Sequence, residues 1–151
     1  MAKIETVERV IPASPEAIFS LIADPSRHPD IDGSGSVREA PSDSKPMSLG
    51  SEFGMSMKLG IAYTTSNIVT EFEPNRRLAW QTRPRGPLGR MSGGRTWRYE
   101  LEPVDGGTRV RETWDITTEA PMTRPLVRAA ANTTRRNMEA TLERIEKLVA
   151  G

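Results

Sequence analysis

The chain of 151 residues has the length of one domain, and its 36% hydrophobic and 27% charged residues are ordinary for a globular protein. Its 21 basic and 20 acidic residues give a formal charge of +1, which argues against a protein built to neutralise a nucleic-acid backbone. Without cysteine, disulfides, thiolate metal sites and thiol nucleophiles are excluded, and a single histidine excludes a His-rich metal site. We therefore expect one domain over residues 1–151, with no metal or other cofactor and no nucleic-acid partner.

The sequence also lacks targeting signals. No apolar run approaches the roughly 18 residues that suggest a membrane span, and the N-terminal residues lack the basic start and apolar run of a secretory signal. These features predict a cytoplasmic protein without integral membrane association. The oligomeric state does not follow from the sequence.

The first elements are a strand and a helix. Residues 3–11 alternate in polarity as an edge strand does. Ser14 followed by Pro15 combines an N-cap residue with proline at the first helical position, which predicts a helix start. This helix should end before Pro25, and the prolines and glycines up to Gly35 leave room for only a turn or two of further helix.

From about Val37 to Thr118 the pattern is that of strands. Two-residue alternation predicts strands near residues 50–59, 63–72, 77–83, 96–102 and 108–116. Asp105-Gly106-Gly107 predicts a tight hairpin between the last two. The segment from Arg83 to Gly94 holds two prolines and four glycines, which predicts a mobile loop and a candidate gate.

The segment from about Met122 to Val149 is the clearest helix. Its apolar residues recur at steps of three and four, and such a stripe must be buried against another element. Since the sequence shows no linker or repeat, the only available partner is the chain's own sheet. The stripe consists of Val127, Ala131, Thr134, Met138, Leu142, Ile145 and Val149.

The order of these elements resembles the START-like (SRPBCC) superfamily, and within it the polyketide cyclase/dehydrase and lipid-transport group of bacterial proteins. The segments that carry the resemblance are IPASPEAIFSLIADPSRHPDIDG, FEPNRRLAWQTR, TWRYELEPVDGGTRVRETWD and the final helix. The resemblance implies an α+β helix-grip fold, a curved antiparallel sheet of about six to seven strands wrapped round a long C-terminal helix. It also implies a cavity between sheet and helix for a lipid, a sterol-like or a polyketide-like molecule.

Aromatic and methionine residues fall on the strand faces that we expect to point toward the helix. Both residue types suit a flat or flexible apolar ligand, although they could equally fill a core. The predicted ligand-binding residues are Phe53, Met55, Met57, Trp80, Trp97, Tyr99, Glu112, Trp114, Val127, Ala131, Thr134 and Met138.

Glu112 and His28 are the candidates for catalysis. The alternation of the last strand points Glu112 inward, where an unpaired carboxylate would have a raised pKa and could orient a ligand or transfer a proton. A structural ion pair or a bulge that turns the side chain outward is the alternative. His28, at the expected cavity entrance, could act as a base, but its HPD context also fits a capping or turn role.

Three functions are compatible with these observations. The leading hypothesis is a non-catalytic carrier or sensor of a hydrophobic molecule. The second is a cyclase or aromatase that acts on a polyketide-like substrate, for which no convergent acid–base pair is visible. The third is an interaction or toxin-like regulatory module that works through its arginines. Those arginines are Arg85, Arg90, Arg95 and Arg98 in and after the loop, and Arg124, Arg128, Arg135 and Arg136 in the last helix.

Overall fold

A computed structural model describes residues 4–33, 37–39, 47–59, 61–84, 94–117, 125, 129 and 131–150, and at positions 25, 37–39, 53–59, 61–65 and 83–84 the description covers the backbone. The strands are β1 (Ile4–Ile11), β2 (Val37–Glu39), β3 (Glu52–Leu59), β4 (Ile61–Glu73), β5 (Arg77–Pro84), β6 (Arg95–Val104) and β7 (Gly107–Asp115). The helices are α1 (Pro15–Ile22), α2 (His28–Ile31), which follows a 3-10 turn at Pro25–Arg27, and α3 (Ala131–Ala150).

The described strands form one antiparallel sheet in the order β1-β7-β6-β5-β4-β3-β2. The first strand pairs with the last, and the others follow as hairpins, so β1 and β2 are the edges. The hairpin predicted at Asp105-Gly106-Gly107 joins β6 to β7, with Gly106 at φ 88°, where glycine is favoured. The predicted α+β helix-grip architecture is confirmed.

Local signals in the sequence account for α1. The Ser14 hydroxyl accepts a hydrogen bond from the backbone N–H of Ala17 at 3.2 Å, and Pro15 occupies the first helical position, as predicted. The helix buries Ile18, Phe19, Leu21 and Ile22.

Helix α3 lies over β1, α1 and α2. Its predicted stripe is buried at Met138, Leu142 and Ile145. Two ion pairs attach the helix to β1: Arg9 binds Glu146 at 3.1 Å, and Arg135 binds Glu5 at 3.2 Å. The expected helical start near Met122 lies largely outside the described residues, as does Val127 of the stripe. Among the described residues, no helix is long and apolar enough to cross a bilayer.

The opposite face of the sheet carries ion pairs that join β6 to β4 and β7 to β1. Arg98 binds Glu71 with its guanidinium group at 2.5 Å, and Arg111 binds Glu8 at 2.6 Å. Arg98 and Arg135 were both considered for an interaction module, and both are engaged by carboxylates of their own chain. The arginines at positions 85, 90, 124 and 128 lie outside the described residues.

The backbone at Gly33 touches α3. Its N–H donates to the hydroxyl of Thr141 at 2.9 Å, and the Nη1 atom of Arg144 donates to the neighbouring carbonyl of Asp32 at 2.9 Å. A Cβ atom at Gly33 would overlap the backbone of α3 at Asn137 and Thr141. A close approach between α3 and the segment after α2 therefore requires glycine here.

We expect Gly33→Ala to destabilise the fold by about 1–3 kcal/mol, the usual cost of forcing extra atoms into a packed contact. Chemical denaturation measures this loss. Gly50→Ala serves as a control because a Cβ atom at Gly50 would meet no other atom, although its φ of 80° adds backbone strain. If Gly33→Ala left the unfolding free energy unchanged, the close approach would be wrong.

Candidate functional site

The concave face of the sheet, which faces the helices, carries an aromatic cluster. Cross-strand pairing places Trp80 opposite Trp97, and Trp97 opposite Trp114. The Trp97 and Trp114 ring centroids are 6.4 Å apart. Trp80 and Trp114 are buried, whereas Trp97 is half-buried and packs against the core. The prediction that these side chains point inward is confirmed.

The other predicted ligand-binding residues are described to different extents. Met138 is buried on α3, and Ala131 and Thr134 are half-buried nearer its N-terminus. Phe53, Met55 and Met57 lie in β3, but their side chains are outside the described part of the structure. Val127 lies outside it altogether.

Three rings are stacked across α2, β5 and β6. The ring of His28 lies on that of Trp80, with centroids 5.3 Å apart and planes inclined by 27°. Trp80 in turn lies on Tyr99, with centroids 5.8 Å apart and planes inclined by 29°. The stack places His28 at one end and Tyr99, which lies opposite Glu112, at the other. Trp80 and Tyr99 therefore lie between His28 and Glu112, the two residues considered for catalysis.

His28 is a buried, neutral histidine. Its Nε2 atom lies 2.8 Å from the carbonyl oxygen of Ile22, which can only accept a hydrogen bond, so Nε2 carries a proton. Burial lowers the pKa of the ring, against the opposing effects of this hydrogen bond and of Asp24 and Asp32. The carbonyl of Ile22 is at the C-terminal end of α1 and has no partner within the helix, so His28 caps this end of α1. A capping role was one of the two considered for His28. The ring is 7% exposed.

Glu112 is the most unusual residue on the concave face. The register of β7 is regular with both β1 and β6, so there is no bulge at Glu112, and its side chain is 3% exposed. Tyr99 is the directly opposite residue on β6, and Oε1 of Glu112 has no hydrogen-bond partner among the described residues. The ion pair or bulge considered as an alternative is therefore not found in this part of the chain.

The surroundings of Glu112 favour its neutral form. Its pKa is raised to about 8, chiefly by burial and further by the negative charge of Asp32, while the Tyr99 hydroxyl acts to lower it. The pKa of Tyr99 is raised well above its usual range, by burial first and then by Glu112. At neutral pH the site therefore holds a protonated carboxylic acid beside a neutral phenol.

Three further polar side chains belong to this region and did not emerge from the sequence as site residues. Asp32, which follows α2, acts on Glu112 and Tyr99 through its charge. On the concave face, the Thr82 hydroxyl donates to Oδ1 of Asn67 at 2.7 Å, and both side chains are buried. The strand alternation places Thr82 beside Trp80, but only the strand register reveals its partner.

A family model described as polyketide cyclase / dehydrase and lipid transport matches residues 1–150. The chain belongs to this family. The sequence resemblance is thereby confirmed, and membership indicates a module that binds a hydrophobic ligand.

The chain is also similar to a curated protein in sequence and to solved structures in fold. The uncharacterized protein Rv0088 of Mycobacterium tuberculosis is 38% identical over 112 residues, which are 73% of this chain and 45% of Rv0088. The chain thus spans about half the length of that curated relative. The structure of CV1439 from Chromobacterium violaceum has a TM-score of 0.76 at 15% identity and covers 100% of this chain and 99% of its own.

A second similar structure is that of DynU16, a putative protein in the dynemicin biosynthetic locus. It has a TM-score of 0.67 at 13% identity, over 97% of this chain and 47% of DynU16. At such identities, the two solved structures show the shared fold alone.

Proposed function

We propose that the protein binds an apolar small molecule, a lipid, sterol-like or polyketide-like compound, between the concave face of the sheet and α3. The observation that best supports this is how burial changes along α3. Met138, Leu142 and Ile145 are buried, whereas Ala131 and Thr134 are half-buried. The end of the helix that carries Ala131 and Thr134 therefore presents surface that is incompletely covered.

The half-buried Trp97 strengthens the proposal. Together with Ala131 it packs against the edge of the core without being fully covered. A tryptophan side chain offers roughly 150–250 Å² of contact surface, and covering apolar surface contributes about 25 cal/mol per Å². A ligand that covered this surface would bind chiefly through the hydrophobic effect. Family membership supports the same ligand class.

We expect Thr134→Trp to reduce binding at least about tenfold, because the indole would fill the space proposed for the ligand. The affinity is measured by native mass spectrometry with a lipid and polyketide panel and by displacement of the neutral dye Nile red. Thr133→Trp is the matched control, since Thr133 is exposed and its neighbour Thr134 is half-buried. A dye and panel that did not bind the unmodified protein would contradict the proposal.

A second candidate function is catalysis of the cyclase/dehydrase type. It is favoured by the protonated Glu112, a buried acid in contact with Tyr99. In a β-hydroxy ketone, Glu112 would donate its proton to the hydroxyl group that leaves as water, while the α-proton passes to a base and the carbon–carbon double bond forms. Incubation with such a ketone, with mass spectrometry to detect loss of water, tests this. No conversion, or equal conversion by Glu112→Gln, would contradict it.

A further inference from the structure

The free oxygen of Glu112 provides a specific point of contact for a ligand. A protonated carboxyl group donates one hydrogen bond through its O–H and accepts others at its carbonyl oxygen. Oε1 is buried and has no protein partner in the described part of the chain, so an acid proton on this atom can be donated to a ligand. A buried polar atom without a partner is costly, and native structures rarely leave one without a reason.

Among the residues that the structure describes, the charged groups round Glu112 do not provide a cation for it. On β1, Val7 lies opposite Glu112. The residues two positions before and after Val7 are already paired with α3, Glu5 with Arg135 and Arg9 with Glu146.

From α2 and the residues after it, His28 is neutral and Asp32 adds negative charge. From β6, Tyr99 is neutral. An anionic ligand group placed at Oε1 would therefore meet a negative field and no described counter-charge.

We propose that the Glu112–Tyr99 pair receives the polar end of the ligand and selects an uncharged oxygen group, a ketone or a hydroxyl, over a carboxylate or a phosphate. This inference rests on the proposed binding function. A ketone oxygen accepts the hydrogen bond that Oε1 can donate, and a hydroxyl can both accept and donate one. An apolar chain attached to either group would extend along the half-buried side chain of Trp97.

The two neutral ligand classes should respond differently to pH. Above the pKa of Glu112, at about 8, Oε1 becomes an acceptor and can no longer donate to a ketone, but it still accepts from a hydroxyl. The lowered pKa of His28 and the raised pKa of Tyr99 keep both groups neutral through this range. Ketone binding should therefore weaken at alkaline pH, and alcohol binding should persist.

The test is displacement of Nile red by decanol, methyl octyl ketone, decanoate and decane, four probes of equal carbon number. At about pH 6.5, where Glu112 is protonated, decanol and the ketone should bind at least about tenfold more tightly than decanoate and decane, the factor expected for one good hydrogen bond. Between about pH 6.5 and pH 9, the ketone should weaken about tenfold and decanol by much less.

Two variants of Glu112 separate the effect of its titration from the effect of its polar group on ketone binding. Glu112→Gln keeps a neutral donor at every pH, so ketone binding should become independent of pH. Glu112→Leu removes the polar group, so the preference for ketone over decane should disappear. Circular dichroism verifies that each variant is folded.

If all four probes bind with equal affinity, or decanoate binds best, the selection of neutral groups is wrong while the binding function stands. If none binds, including the dye, both are wrong.

Discussion

Replacing Glu112 by glutamine is expected to stabilise the protein increasingly as the pH rises. The pKa of this residue is about 8 in the folded chain, against an ordinary value of 4.5. Between these values the folded state binds more protons than the unfolded state, so Glu112 makes the protein less stable as the pH rises. The effect is about 1.4 kcal/mol per pH unit, or about 4–5 kcal/mol by pH 8. Glutamine does not titrate, so the variant lacks this loss of stability at high pH.

Urea unfolding of the unmodified protein and of Glu112→Gln at about pH 5 and pH 8 measures this difference. The pH-independent cost of burying an amide cancels when the two pH values are compared. Glu102→Gln is a suitable control, because Glu102 is an exposed residue of the same hairpin, where an ion pair contributes little. A stability difference for Glu112→Gln that did not change with pH would show that Glu112 is ionised in the fold.

Trp114→Ala is expected to reduce the free energy of unfolding by about 3–5 kcal/mol, the range for removing a large buried aromatic side chain. Trp114 is 2% exposed and belongs to the continuous core cluster. Its ring lies beside that of Trp97 across the β6–β7 pair. Chemical denaturation followed by far-ultraviolet circular dichroism gives the measurement without relying on tryptophan fluorescence.

Trp97→Ala is the control that shows whether the stability loss of Trp114→Ala depends on burial. Trp97 has the same side chain on the same face but is half-buried, so its loss should be smaller. If Trp114→Ala cost no more than Trp97→Ala, Trp114 would border open space and would be a ligand contact, as predicted, more than a core residue. Equal costs would contradict the packing described here.

The fold was predictable because local signals agree with one another. The Ser14-Pro15 start, the turn at Asp105-Gly106 and the apolar stripe of α3 each depend on residues close in sequence. The register shift between β4 and β5, which falls between Val69 and Glu71, has no such signal. Its position depends on how the sheet curves round the core.

Part of the candidate site could also be predicted from the sequence. Once the hairpin turn pairs Val104 with Gly107, counting back along both strands sets Tyr99 opposite Glu112. The charge of Asp32 near Glu112 could not be found in this way, since it depends on the docking of Gly33 on α3. The stacking of His28 on Trp80 likewise joins residues far apart in sequence.

We expect the apolar ligand to lie between the sheet and α3, with its neutral polar end at Glu112. A crystal structure of the protein with methyl octyl ketone, grown below about pH 7 so that Glu112 is protonated, tests it most directly. We predict the ketone oxygen within hydrogen-bond distance of Oε1 and the alkyl chain along Trp97. A ketone bound elsewhere, or bound with its oxygen directed away from Glu112, would contradict the account.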